Sequence, residues 1–225
     1  MGTVIILPET TKNPITLIGK CAGVCWGADT SDPARNYKRG RDCIESGHGR
    51  TLEYPDVYMV LDGYSARVIR EWYTHIGGAP TRLQASTRYI NYGHFDYITP
   101  KTITGEAAMV YTSAMDAIQR TARKLEELGV PREDAALILP LGMTTRVVDK
   151  RNTRNLIDMS RQRMCNRAYW EFRELFRDLS IALANYSEEW AQIVSKCFHA
   201  KCEETKTCPE RHGCGRYPRG VEIDG

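Results

Sequence analysis

The chain has 225 residues, 42% of them hydrophobic and 26% charged, the proportions of an ordinary globular protein with room for a substantial core. A formal net charge of +3 is too small to make nucleic acid or a membrane surface the main partner, and no apolar run approaches the length that spans a bilayer. The start, MGTVIILPETTK, lacks the basic region of a signal peptide, so a cytoplasmic protein is expected, with its eight cysteines as thiols or metal ligands rather than disulfides.

In chain order, Val4 to Leu7 and Ile15 to Ile18 predict two short strands joined by a polar turn. Cys21 and Cys25, in KCAGVCWG, read as two small buried residues in a loop leading to a helix; a zinc site from this pair would lack the customary second pair. Asp32-Pro33 signals a helix start, with Asp capping and Pro at the first helical position, and the helix runs through ARNYKRGRDCIES to Gly47-His48. Val57, Met59 and Leu61, alternating with Tyr58 and Val60, predict a strand buried on both faces and ending at Asp62-Gly63. Ser65 to His75 predicts a helix capped by Ser65. The stretch Gly77-Gly78-Ala79-Pro80 is a turn, whose backbone amides could also contact a phosphate.

His94 to Pro100 predicts a loop. Thr104 then caps a long helix over Gly105 to Leu128, on which Ala107, Tyr111, Ala114, Ile118, Ala122 and Leu125 keep helical spacing. Gly129 ends it, and Pro131 with Glu133 and Asp134 opens a short turn. From Leu137 to Arg173 the sequence predicts a short buried strand, a basic loop and a polar helix. Spacings of three and four put Arg154, Asp158, Arg161 and Cys165 on one helical face, while Met159, Met164, Ala168 and Trp170 supply apolar contacts. Such a face is either a solvated basic surface or one that holds phosphate, which the guanidinium fork matches bidentately.

Ala168, Phe172, Leu175, Phe176, Leu179, Ala182, Leu183 and Tyr186 form an amphipathic stripe, and Ser187 caps a further helix carrying Trp190, Ile193, Val194 and Cys197; both stripes are packing. The tail is polar and carries Cys202, Cys208 and Cys214, with His199 and His212 close by. Its cysteine spacings match no standard finger. A structural zinc held by Cys202, Cys208 and Cys214 therefore stands beside free thiols in a terminal extension, with residues 216–225 loose.

The order and spacing of Leu139-Pro140-Leu141, Asn152, Arg154, Asp158, Arg163, Ala168 and Trp170-Glu171-Phe172-Arg173 resemble the flavin-dependent thymidylate synthase family. Upstream, Ser46-Gly47-His48 and Gln84-Ala85-Ser86-Thr87-Arg88-Tyr89 extend the resemblance, which covers roughly Ile15 to Trp190. There are departures. Asp158 replaces the usual Asn or His, Gln84 a Glu, and Tyr54, in Leu52-Glu53-Tyr54, a histidine near the flavin. The family's Arg-His-Arg triplet, which grips the flavin, is Thr74-His75-Ile76 counted from the helix start. Counted back from the Ser-x-Arg-Tyr run it is Ile76-Gly77-Gly78, so both arginines are gone. Ala136 stands where an arginine contacts the nucleotide, leaving Arg132, Arg146 or Lys150 to supply that contact.

The resemblance implies an α+β fold with a central mixed or antiparallel sheet flanked by long helices, in a homotetramer whose sites are shared between protomers. Residues 1–196 would form the family domain and 197–225 a Cys-rich extension. It implies reductive methylation of dUMP to dTMP with bound FAD, methylenetetrahydrofolate as carbon donor and NADPH as electron source, and no cysteine nucleophile. Arg163 would be the catalytic residue, meeting the pyrimidine. Gln84, Ser86 and Arg88 would bind dUMP, the last two at its phosphate, although on chemistry alone Arg88 could equally be a surface arginine in a salt bridge. His75, Asn152, Arg154 and Asp158 would face the flavin. The alternatives are a flavin and folate methyltransferase of the same scaffold acting on another nucleotide or base, a non-catalytic nucleotide-binding descendant, and an interaction module built on a zinc tail.

Overall fold

The computed structural model describes residues 2–220; the looseness expected of residues 221–225 lies outside them. Strand β1 (Thr3–Ile6) leads to helix α1 (Pro14–Cys25), so Ile15 to Ile18 is helical, against the strand that its isoleucines predict. Pro14 presets the first turn, and Ile15, Ile18, Gly19, Ala22 and Gly23 recur at helical spacing on the buried face. A window of four residues cannot separate the two periods. Cys21 and Cys25 accordingly lie on this helix, half-buried and exposed respectively, rather than in a loop. Helix α2 (Pro33–Glu45) starts as expected: Asp32 accepts from the backbone N–H of Ala34 at 2.8 Å and of Arg35 at 3.4 Å.

Strand β2 (Asp56–Ser65) runs two residues past Gly63 and buries one face rather than both. Val57, Met59 and Leu61 are fully buried, whereas Tyr58 and Val60 are half-buried. Helix α3 (Ala66–Trp72) is capped by Ser65, whose Oγ accepts from Val68 N–H at 3.2 Å, and it stops short of His75. Strand β3 (Thr81–Gln84) precedes helix α4 (Glu106–Glu127) and the single turn α5 (Arg132–Ala135). No side chain caps α4; Gly105, at φ +56, stands at its start in place of the expected Thr104 cap. The buried residues of α4 are Met115, Gln119 and Ala122, while Ala107 and Ala114 of the expected apolar face are exposed.

Strand β4 (Thr144–Asn152) occupies the stretch that reads as a basic loop. Thr145, Val147, Asp149 and Arg151 alternate inward; two of these four are charged, which hides the period of two. The short buried strand expected at Leu137 is absent: Ala136–Ile138 is a 3-10 turn with Leu137 85% exposed. Helix α6 (Thr153–Arg163) follows β4 directly and leaves Cys165 beyond its end. Helices α7 (Trp170–Tyr186), α8 (Glu188–Cys197) and α9 (Lys201–Thr205) complete the described chain.

The four strands form one sheet in the order β1-β2-β4-β3, and the α+β class holds. Ala66 N–H donates to Met143 and Thr153 N–H to Pro55, so β2 and β4 run antiparallel. The described residues divide into two compact units. One is built on Leu61–Thr74 and Arg82–Val148, with Phe95, Met115 and Met143 at its centre and Tyr97, Tyr111 and Ile118 packed around them. The other comprises Val4–Val60, His75–Thr81 and Asp149 onward. In it α1 and α2 cross closely: a Cβ on Gly19 would lie 1.8 Å from the Asn36 carbonyl oxygen, and one on Gly40 1.9 Å from that of Ile15. Ile18, Ala22 and Cys43 fill the crossing. Phe172 stacks on Phe176 at 6.4 Å, and Trp190 Nε1 donates to the Thr11 carbonyl at 2.8 Å. No helix among the described residues is long and apolar enough to cross a membrane.

Candidate active site

Strand β4 passes straight into α6, and Asn152 stands at the junction. Its Oδ1 accepts from Asn155 N–H at 2.9 Å, capping the helix. Around this helix start is a pocket of about 310 Å³. Asn152, Arg154 and Asp158, three of the residues expected to face a flavin, line it together. So do Glu53, Asn155 and the Gly77-Gly78 turn. Arg154 Nη1 lies 2.6 Å from Glu53 Oε1. The glycine turn is pressed onto the helix start: a Cβ on Gly78, at φ +72, would fall 2.3 Å from Asn152 Nδ2. Ala79 also has positive φ, at 49°, so two successive left-handed residues make the bend.

His75 and Arg163 meet in the same unit. Arg151 and Asp149, both without exposed side-chain surface, pair at 2.7 and 3.0 Å. Arg151 Nη1 also donates to the His75 carbonyl at 2.9 Å and to Asn155 Oδ1 at 2.7 Å, which ties the segment after α3 to the start of α6. The His75 side chain accepts at Nε2 from Arg163 Nε at 2.8 Å. Burial, and then the guanidiniums of Arg163 and Arg151, push the His75 pKa from 6.5 down to about 4. The imidazole is therefore neutral at neutral pH and keeps a lone pair for Arg163. Phe172 completes the arrangement, with the Arg163 guanidinium 4.6 Å above its ring and the His75 ring edge-on at 6.0 Å. Arg163 is thus held in one orientation by a neutral acceptor and an aromatic face.

The expected nucleotide residues lie in the other unit. Gln84 ends β3, and its Nε2 donates to Thr145 Oγ1 at 3.3 Å. Ser86 Oγ accepts from Arg88 N–H at 3.2 Å, and Arg88 Nε lies 2.8 Å from Glu133 Oε2 in an exposed ion pair. Of the three cations that stand as substitutes for an arginine at Ala136, Arg132 lies beside this segment and donates to the Tyr89 carbonyl at 3.0 Å. Arg146 is paired with Asp62, and Lys150 with Asp56.

In the tail, Cys202, Cys208 and Cys214 line one cavity, and Cys165 joins them. Sequence order hides that partnership, since Cys165 is 37 residues before Cys202. Glu53 escapes sequence reasoning for a related reason: it is distant in sequence from Arg154, and only its place in the Leu52-Glu53-Tyr54 segment marks it.

The sequence profile of the family described as "Thymidylate synthase complementing protein" matches residues 6–184. The chain is similar to the flavin-dependent thymidylate synthase of Nitratidesulfovibrio vulgaris, 29% identical over 190 residues, 78% of this chain and 74% of that one. It is also similar to the flavin-dependent thymidylate synthase of Geobacter sulfurreducens, 28% identical over 182 residues, 76% of this chain and 78% of that one. Among solved structures, the flavin-dependent thymidylate synthase ThyX from Helicobacter pylori, complexed with FAD and dUMP, shares the fold. Its TM-score is 0.69 at 18% identity, covering 87% of this chain and 99% of the other.

Proposed function

The chain belongs to the thymidylate synthase complementing protein family, and from that premise we propose that it converts dUMP to dTMP with bound FAD, methylenetetrahydrofolate as carbon donor and NADPH as electron source. The family's curated relatives are named flavin-dependent thymidylate synthases, enzymes of the methyltransferase type. The observation that carries the reading is the pocket at the start of α6, where Asn152, Arg154 and Asp158 converge with the glycine turn.

The residues present suit part of a flavin dinucleotide. A volume of about 310 Å³ lies at the low end of small-molecule pockets and would take a portion of the cofactor. Arg154 offers a guanidinium to an anionic group in exchange for Glu53, and the tight turn at Gly77 and Gly78 offers close backbone approach where the family has arginines. Bound FAD supplies the redox chemistry. The protein's own part is placement and charge. Arg163 meets the uracil ring and offsets negative charge that builds on its oxygen, and neutral His75 keeps the guanidinium from turning away. Ser86 and Arg88 take the phosphate, with Arg88 exchanging Glu133 for it, and Gln84 lies beside the nucleotide.

A cytoplasmic homotetramer fits the same reading. Met109 and Val110 on α4 are 67% and 65% exposed, with Ala107, Ala114 and Ala117 exposed beside them, a face suited to another protomer. The test is to purify the protein with FAD, supply dUMP, methylenetetrahydrofolate and NADPH, and measure dTMP. Product is expected, and Arg163→Ala is expected to lower kcat by a factor of about 10²–10³. Product from a different nucleotide, and none from dUMP, would favour a same-scaffold methyltransferase with another substrate.

A further inference from the structure

We infer that the C-terminal segment after α8 is a clamp on the connection between α6 and α7, and that through this connection it holds Arg163 in the orientation the reaction uses. Asn166, Glu204 and Arg216 are its positioning residues. The use made of Arg163 rests on the function proposed above. Residues 164–169 join the two helices. Arg163 is the last residue of α6 and Phe172 lies in the first turn of α7, so this short connection sets where the guanidinium stands over the ring.

The tail lies beyond residues 6–184, the span of the family match, and it holds the connection from both sides of Arg163. Ahead of it, Arg161 forms a two-armed ion pair with Glu204 of α9, Nε to Oε2 at 3.1 Å and Nη2 to Oε1 at 3.2 Å. Behind it, Asn166 Oδ1 accepts from Arg216 Nη2 at 3.0 Å, and Arg167 donates to the His212 carbonyl. Arg173 Nη1, on α7, donates to the Asn166 carbonyl at 3.0 Å, so a pull on Asn166 reaches the helix that carries Phe172. The tail is itself closed. Arg216 pairs with Glu203 of α9, and Cys208 N–H donates to the Pro218 carbonyl at 2.7 Å. The zinc expected of Cys202, Cys208 and Cys214 has no counterpart: among the described residues no group of three or more His, Cys, Asp or Glu side chains is placed to hold a metal ion. Polar bonds hold the tail instead.

Exposed ion pairs add little to stability one at a time. Their effect here is geometric. An unheld connection samples many backbone states, and each would move Arg163 relative to the Phe172 ring and to His75 Nε2, which accepts from Arg163 Nε at 2.8 Å. Contacts on both sides of Arg163 restrict that freedom. A donor stabilises charge that develops during reaction only when it is already aimed there.

The experiment uses the full chain carrying Glu204→Ala and Arg216→Ala together, with Asn166→Ala as a second variant that cuts the same contact from the other side. All three positions are exposed, so the core is untouched. Histidine ring signals are followed by NMR against pH, His75 being identified by its loss in His75→Gln. Burial and the Arg163 guanidinium hold the His75 pKa at about 4, so release of Arg163 is expected to shift its titration to higher pH. With FAD, dUMP, methylenetetrahydrofolate and NADPH, kcat should fall by about tenfold to a hundredfold, while KM for dUMP stays the same. Lys206→Ala, on the tail with its ammonium 5.5 Å from the Tyr217 ring, should change neither readout. A His75 titration that does not move, a kcat equal to that of the unmutated chain, or an equal loss in Lys206→Ala would overturn the clamp. Unmutated protein that makes no dTMP would refute the proposed function instead, and the His75 titration would still decide the clamp.

Discussion

Asp149 and Arg151 place two charges on the inward face of β4, where neither side chain has exposed surface. Removing both from water is costly, and the cost is offset only when geometry and further hydrogen bonds are good. Their two mutual bonds, with those from Arg151 to His75 and Asn155, meet that condition. Arg151→Ala strips a buried carboxylate of its guanidinium and is expected to cost about 3–5 kcal/mol, read from the urea midpoint. His75 gives a prediction of the opposite kind, about pH. Its pKa in the folded protein is about 4, against 6.5 unperturbed. Between those values the unfolded chain binds the extra proton, so stability rises with pH through the window. The contribution is fully present above about 6.5, is lost progressively on acidification, and levels off below about 4. His75→Gln, which keeps an acceptor for Arg163, should flatten this limb of a plot of Tm against pH. A variant whose Tm falls as steeply as the unmutated protein's between pH 6.5 and 4 would refute the assignment. At this scale the grouping of Asn152, Arg154 and Asp158 was legible through the family resemblance, although the strand that leads into their helix reads as a loop. The pairing of Glu53 was not legible, and although Gly77 and Gly78 read as a turn able to contact a phosphate, their seat against Asn152 was not legible either, because chain folding alone brings them to that junction.

Among the elements, the caps at Asp32 and Ser65 were legible, whereas the one expected at Thr104 is not formed. Asp32 and Ser65 each satisfy backbone N–H groups within three residues, so a short window holds all the physics. Asp32→Ala is expected to cost about 1 kcal/mol. The crossing of α1 and α2 is different, since it depends on two glycines 21 positions apart in the sequence. Gly40→Ala would bring a Cβ within 1.9 Å of the Ile15 carbonyl oxygen. It should destabilise by about 1–3 kcal/mol or more, and a Tm equal to that of the unmutated protein would show that the helices can move apart at little cost. Where sequence and structure part over an element, the cause is shared. Strand β4 carries Asp149 and Arg151 at inward positions, and the Ile15 to Ile18 stretch puts isoleucines into a helix. In both, packing overrode the preference that composition suggests.

At the level of the whole molecule, the α4 face with exposed Met109 and Val110 leads to a prediction about assembly. Sedimentation of the unmutated protein should give the mass of four chains, and a Met109→Lys, Val110→Lys double substitution should give smaller species. A monomer that is fully active would refute the shared-site assembly. Through its resemblance to a family the sequence by itself determined the family, the α+β class and the grouping of Asn152, Arg154 and Asp158, and its periodicity determined the packing stripes of α7 and α8. Motifs and stripes of this kind lie along neighbouring stretches of chain. Only the tertiary structure decided that Glu53 pairs with Arg154, that His75 and Phe172 orient Arg163, and that Cys165 shares a cavity with the tail's thiols. Those contacts join residues between 9 and 101 positions apart, where no local periodicity operates, and their energies depend on burial and direction that exist only once the chain has folded.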